Sequence, residues 1–197
     1  TAEELATRFE ITRKEQDAFT VETNRRYFEA RDTGFFDRER VPIVLPDGSI
    51  VQDDQEPRES SVDSLAQLGP VFTEQGTVTA ANSSGVSDGA CMAVVCGEDD
   101  LGGMHDHPLA AVVSTVNTGL DPTVMGLGPV YAIRKLLERT GLTMHDIDLF
   151  EINEAFAVQG LACQRELGLD ADRLNVHGGA VALGHPLGMS GLRIAVT

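Results

Sequence analysis

The run Asn175-Val176-His177-Gly178-Gly179-Ala180-Val181-Ala182-Leu183-Gly184-His185-Pro186-Leu187-Gly188-Met189-Ser190-Gly191 constrains this chain more than any other stretch. Its glycines are split by the apolar Ala-Val-Ala-Leu segment and followed by Leu192, Arg193 and Ile194. That pattern describes a loop whose backbone approaches something closely before a helix starts. Pro186 drives the residue before it out of helical dihedrals, so His185 sits on a bent, extended backbone and not on a helix face. A histidine held this way reads as a positioned side chain, against the plainer reading of a glycine-rich turn with an incidental imidazole. The loop contains neither Gly-x-x-x-x-Gly-Lys-Ser/Thr nor Gly-x-Gly-x-x-Gly, which removes two nucleotide-cradle readings.

Composition narrows the remaining classes. A chain of 197 residues supports one substantial domain, or one domain plus an appended segment. No apolar run approaches the roughly 18 residues that a membrane span needs. No secretory leader stands at Thr1, which fits a cytoplasmic protein, while the absence of an initiator methionine leaves room for residues upstream. A formal charge of −16 repels polyanions and argues against nucleic acid as the principal partner. Cys91, Cys96 and Cys163 form neither a paired framework nor a metal-ligand spacing, and each reads as a small buried apolar residue in a helical run. His105-Asp106-His107 invites a metal reading, but no third ligand follows at useful spacing; a solvated turn is expected, and no metal.

Along the chain, residues 2–31 carry apolar positions at helical spacing with a break near Ile11-Thr12, where Thr12 and Glu15 make a capping box. Val41 to Leu45 and Ile50 to Gln52 flank Pro46-Asp47-Gly48, a hairpin signal. Ser64 to Leu68 reads as a brief helix. Residues 76–90 read as a β run, a Ser/Gly turn and an Ala-rich helix capped near Ser87. Ala110 to Thr115 has the β-branched, apolar character of a buried strand. Pro129 suits the first turn of a helix from Val130 to Arg139. Ile147 to Ile152 reads as a strand entering a helix from Glu154 to Leu167, with Asn153 at the corner either as an ordinary N-cap or as a functional amide. A last helix starts after Ser190.

The glycine-histidine run resembles the signature of the thiolase family, Asn-x-x-Gly-Gly-Ala-x-Ala-x-Gly-His-Pro-x-Gly-x-Ser-Gly, and matches it at every fixed position. Asn153-Glu154-Ala155-Phe156-Ala157 resembles the family's second signature, and residues 77–90 resemble its Thr-Val-Thr-Ala-x-Asn-x-Ser-Gly-x-x-Asp-Gly-Ala segment. Met125-Gly126-Leu127-Gly128-Pro129 resembles its Met-Gly-x-Gly-Pro segment.

The resemblance implies a layered α-β-α-β-α fold of α/β class. Residues 1–85 would form the end of the loop domain on the coenzyme A side and the return into the core, and residues 86–197 the C-terminal half, cut before its last strands. It also implies an acyltransferase of fatty acid metabolism, β-oxidation included, which cleaves 3-oxoacyl-CoA with coenzyme A or condenses two acyl-CoA units by Claisen chemistry. No tightly bound cofactor is implied; the coenzyme A thioester is the substrate, and acyl-CoA and coenzyme A are the partners, in a homodimer or homotetramer.

By the same resemblance, His185 and Asn153 are the catalytic pair. Ser84, Ala80, Ser64, Arg58, Met125 and Phe156 face coenzyme A or the acyl group, and Gly178, Gly179, Gly184 and Gly188 shape the loop backbone. Read from the residues alone, Arg58 is equally a solvated loop residue and Met125 equally core filler. Two cysteines that the family requires, a nucleophile and an acid/base in Cys-x-Gly-Gly-Gly, have no counterpart here, so half an active site without turnover is expected. A non-catalytic acyl-CoA-binding or partner-binding protein is the alternative. The related condensing synthases, which usually carry histidine at the Asn153 position, fit less well.

Overall fold

The computed structural model describes residues 1–103 and 108–197, so His105-Asp106-His107 lies outside the described residues. Two helices open the chain, α1 (Ala2–Arg8) and α2 (Arg13–Asp32). They break where expected: Glu10 takes a positive φ of 50°, Ile11 buries, and Thr12 caps α2 in a full box with Glu15, whose carboxylate accepts the Thr12 N–H at 2.7 Å. The inward face of α2 is largely polar, carrying Gln16, Thr20, Thr23 and Asn24 above Tyr27 and Ala30. Burying such a face is tolerable only when each group finds a partner. Thr20 donates to the Gln16 carbonyl, Asn24 donates to the Thr20 carbonyl, and Gln16 donates to Thr77 Oγ1, which leaves Gln16 Oε1 as the unpaired atom of this face.

The hairpin follows, β1 (Ile43–Val44) against β2 (Ile50–Val51), antiparallel with Ile43 opposite Val51, and Gly48 supplies the positive φ of its turn. The helix expected from Ser64 is α3 (Val62–Leu65), which starts earlier because Ser61 caps it by accepting the Ser64 N–H. A 3-10 turn, Pro122–Leu127, leads into α4 (Gly128–Thr140), with Pro129 in its first turn and Gly141 in the left-handed conformation after its end. Then come α5 (Ala157–Leu167), the single turn α6 (Ala180–Leu183) and α7 (Ser190–Val196).

One core cluster joins Leu5 and Ala6 of α1, Val78, Val130 of α4, Phe150, Ile152, and Val158, Ala162 and Cys163 of α5. A smaller one joins Tyr27, Ala30, Phe36 and Ala182. Early and late parts of the chain therefore share one core. Among the described residues, no helix is long and apolar enough to cross a membrane.

Several expectations are corrected. The Ala-rich run after Ser87 is not helical; residues 86–97 lack regular structure and leave Val86, Met92, Val94 and Val95 exposed. Cys91 is half-buried and Cys96 exposed, whereas Cys163 is buried as expected. Ala110 to Thr115 forms no ladder, and Val112 and Val113 are exposed. A strand needs a neighbour to take its N–H and C=O groups. Here the Thr115 and Asn117 carbonyls instead accept from Arg139 and Lys135 of α4. The β run at residues 76–80 is likewise no strand, since Thr77 and Val78 donate their N–H groups to the Glu3 carboxylate. Between Ile147 and Ile152 the pairing shrinks to one parallel bridge, Phe150 with Leu174. The helix expected from Glu154 begins only at Ala157, with Phe156 at its N-cap, so Asn153 is no cap.

Candidate active site

Two corners of the chain are tied together before any functional group is placed. Phe150 N–H donates to the Arg173 carbonyl at 2.8 Å, and Asn175 N–H donates to the Phe150 carbonyl at 2.9 Å. The Asn175 side chain extends this pairing as a backbone unit would, accepting the Ile152 N–H and donating to the Ile152 carbonyl, both at 2.8 Å. Asn175 does so at φ 46°, a conformation that asparagine tolerates better than most residues. The register leaves Asn153 at the end of the first corner. From the second, α6 carries the chain to Gly184, whose φ of 86° and crowding against Ser87 admit only glycine. His185 is then pinned through its backbone, donating its N–H to the Gly85 carbonyl at 3.0 Å.

At this point the imidazole and the carboxamide meet. Asn153 Nδ2 lies 3.3 Å from His185 Nε2, and His185 Nδ1 lies 2.7 Å from Ser190 Oγ, which donates to the Pro186 carbonyl at 3.0 Å. One proton arrangement satisfies all three contacts: Asn153 donates to a lone pair on Nε2, Nδ1–H donates to Ser190, and the serine hydroxyl goes on to Pro186. Burial lowers the basicity of His185, and the nearby Arg193 charge lowers it further. The resting ring is therefore neutral at pH 7, with its basic nitrogen turned toward Asn153. Asn153 Oδ1 is buried with no hydrogen-bond partner.

A cavity of about 380 Å³ is lined by Arg58, Ala80, Ser60, Leu65, Leu68 and Val181 together with the carboxylates Glu56 and Glu59, and it reaches the His185 corner through Gly85. It brings together Arg58 and Ala80. Arg58 is fixed by its own N–H, donated to Asn24 Oδ1 on α2 at 2.8 Å. Ser84 stands at the rim of the His185 corner, its N–H and hydroxyl both donated to the Ala155 carbonyl. Ser64 does not line the cavity; its hydroxyl closes the α3 capping box with Ser61, while Ser60 and Leu65 turn inward. Phe156 is half-buried, bridged through its backbone to Ser83 and edge-on to Phe72 at 6.1 Å. Met125 is 52% exposed on the 3-10 turn before α4, while the neighbouring Gly126 packs on Leu5 and Gln159. Within the loop, Gly178 has φ 83° and Gly179 abuts Glu154, whereas a side chain at Gly188 would meet open space.

Four participants were not singled out from sequence. Ser190 orients the imidazole; it is a fixed serine of the glycine-histidine signature, five positions after His185 at the start of α7. Gly85 holds the His185 backbone, Phe72 adds an exposed aromatic ring beside Phe156, and Glu154 is buried directly behind the pair. Gly85 and Glu154 stand at positions of the quoted family segments, whereas nothing in the sequence marks Phe72. Cys163 is far from reactive: burial pushes its thiol up to about 11, and its sulfur donates to the Gly126 carbonyl.

With this geometry in hand, comparison with known proteins is direct. The family model described as "Thiolase, N-terminal domain" matches residues 1–99, and that described as "Thiolase, C-terminal domain" matches residues 106–197. A "Probable acetyl-CoA acyltransferase" of Staphylococcus aureus (strain COL) is 46% identical over 202 residues, covering 100% of this chain and 51% of that protein. The crystal structure of the Bacillus anthracis acetyl-CoA acetyltransferase superposes with a TM-score of 0.96 at 42% identity, covering 99% of this chain and 50% of that one. Human mitochondrial 3-ketoacyl-CoA thiolase in complex with CoA superposes with a TM-score of 0.90 at 43% identity, covering 98% and 49%. The chain thus spans about half the length of the curated relatives it matches. On these matches and the likeness of its whole path to theirs, the chain belongs to the thiolase family, with the α/β fold of that family.

Proposed function

We propose that these residues carry the oxyanion-binding part of a thiolase-type acyltransferase, which cleaves 3-oxoacyl-CoA with coenzyme A or, in reverse, joins two acyl-CoA units by Claisen chemistry. The observation that carries the reading is the meeting of Asn153 with His185 at 3.3 Å. Both directions of the reaction put negative charge on a thioester oxygen, which calls for uncharged or cationic donors aimed at it. A neutral His185 can take the proton of a thiol on Nε2. The thiolate then adds to the carbonyl carbon, the C=O electron pair moves onto oxygen, and the new Nε2–H faces that oxygen as a donor. Asn153 fits the role of fixing a water that gives the second donor to that oxygen, through a side chain whose charge does not vary with pH.

The cavity holding Arg58 and Ala80 suits a coenzyme A arm, the basic side chain facing phosphate and the apolar wall facing pantetheine, and the human relative was solved with CoA bound. Ser84, Phe156 and Met125 are assigned to the acyl side by the family resemblance, while Ser64, spent in the α3 capping box, drops out of the binding set. Residues 1–85 are the coenzyme A side of the unit and residues 86–197 the half bearing His185. In this reading the nucleophilic sulfur is not Cys163 and comes from outside these 197 residues. Assembly as a homodimer or homotetramer rests on the family resemblance.

Thiolysis of a 3-oxoacyl-CoA by the complete polypeptide containing this chain is the test. His185→Ala is expected to lower the rate at least about 100-fold. A near-normal rate removes His185 from the mechanism, and no turnover by the unaltered polypeptide overturns the assignment.

A further inference from the structure

The carboxylate of Glu154 is 1% exposed, and every partner it has is a donor. Asn175 Nδ2 donates to it at 2.8 Å, Thr23 Oγ1 at 3.0 Å and Val181 N–H at 3.2 Å. Thr23 in turn accepts the Gly179 N–H at 2.8 Å. A Cβ on Gly179 would fall inside the van der Waals shell of the same carboxylate. Three segments therefore converge on one side chain: helix α2 through Thr23, the start of the glycine loop through Asn175, and α6 through Val181. Glu154 itself is joined by one peptide bond to Asn153, and only Gly184 separates the end of α6 from His185.

We propose that Glu154 is a positioning residue that sets the separation of the His185 imidazole from the Asn153 amide. The catalytic consequence of this role rests on the proposed function; the geometry around Glu154 stands without it. A carboxylate offers about four acceptor sites and no donor when ionised, which matches a ring of three donors. Glutamine has nearly the same shape but would turn an NH2 group toward groups that also donate. Aspartate, one methylene shorter, would draw away from α6. Either change loosens the loop that delivers His185, and misplacement by about 1 Å far from the bond-making atoms can cost on the order of 100-fold in rate.

The test uses the complete polypeptide with Glu154→Gln, Glu154→Asp, Thr23→Val and Thr23→Ser. Glu154→Gln and Thr23→Val are expected to lower kcat at least about tenfold with KM for coenzyme A changed less than about threefold. The imidazole 15N signals of His185 should shift in both, and Thr23→Ser, which keeps the hydroxyl, should restore wild-type values. If Glu154→Gln does not fold, the Thr23 pair decides. Loss of melting temperature with kcat per folded molecule and His185 signals unchanged would make Glu154 merely structural and overturn the proposal. Should the wild type show no thiolysis, the function fails separately, and the His185 signals still decide the role of Glu154.

Discussion

The side-chain amide of Asn153 donates to Nε2 of His185 across 3.3 Å, although the two residues stand 32 positions apart in the chain. The contact sets which nitrogen of the ring is basic. It also makes the pair sensitive to any change in charge at position 153.

Asn153→Asp tests that sensitivity. A carboxylate beside the imidazole favours its charged form and opposes an oxyanion at the same place. The substitution is expected to raise the His185 pKa and lower thiolysis at least about 100-fold, as read by NMR titration of the ring and by steady-state assay. An unchanged titration would mean that the two groups do not face each other in solution.

Ser190→Ala removes the acceptor of Nδ1–H. The ring then loses one of the two contacts that select its tautomer, Asn153 being the other, and a fall in kcat of about tenfold is expected. Imidazole 15N shifts that report mixed tautomers would accompany the loss; a single unchanged tautomer would count against the serine.

The pH profile follows from burial of His185. Its basicity is lowered below the ordinary imidazole value, so the neutral ring required of a base persists at and below neutral pH. Activity is expected to fall only as pH drops through that lowered value, which puts the acid limb of kcat/KM below about 6.5. An acid limb above 7 would be inconsistent with the desolvated ring.

Glu151 predicts a different pH effect, on stability. Burial lifts its pKa to about 7, with Glu154 and Glu39 adding to the rise and Arg193 opposing it. A carboxyl raised in the folded state contributes stability fully at acid pH and loses it as pH climbs through the folded value. Melting temperature should therefore decline between about pH 5 and pH 8, and Glu151→Gln should flatten the decline. A variant with the same slope as wild type would exclude Glu151 as its source.

Gly179→Ala brings a methyl group against the Glu154 carboxylate and is expected to cost about 1–3 kcal/mol in denaturant unfolding. Gly188→Ala, which meets open space, should cost little by comparison.

Local chemistry was legible in the chain. The Thr12 and Glu15 box, the hairpin turn at Gly48, Pro129 at the start of α4 and the helix from Ser190 each depend on residues within one turn of one another, and each formed as read. The two signatures were legible as a resemblance to a family, since a glycine loop around a histidine has plainer uses when taken alone.

What the sequence by itself determined is thus the position of its turns and caps and the identity of His185 and Asn153 as candidates. Only the tertiary structure decided that Asn153 is not an N-cap, that residues 86–97 and 110–115 form neither helix nor buried strand, and that Glu154 ties the two signatures together. The reason is the range of the forces involved. A cap or a turn closes its hydrogen bonds within a few residues, whereas a strand ladder or a buried carboxylate takes its partners from segments whose arrival no local pattern encodes.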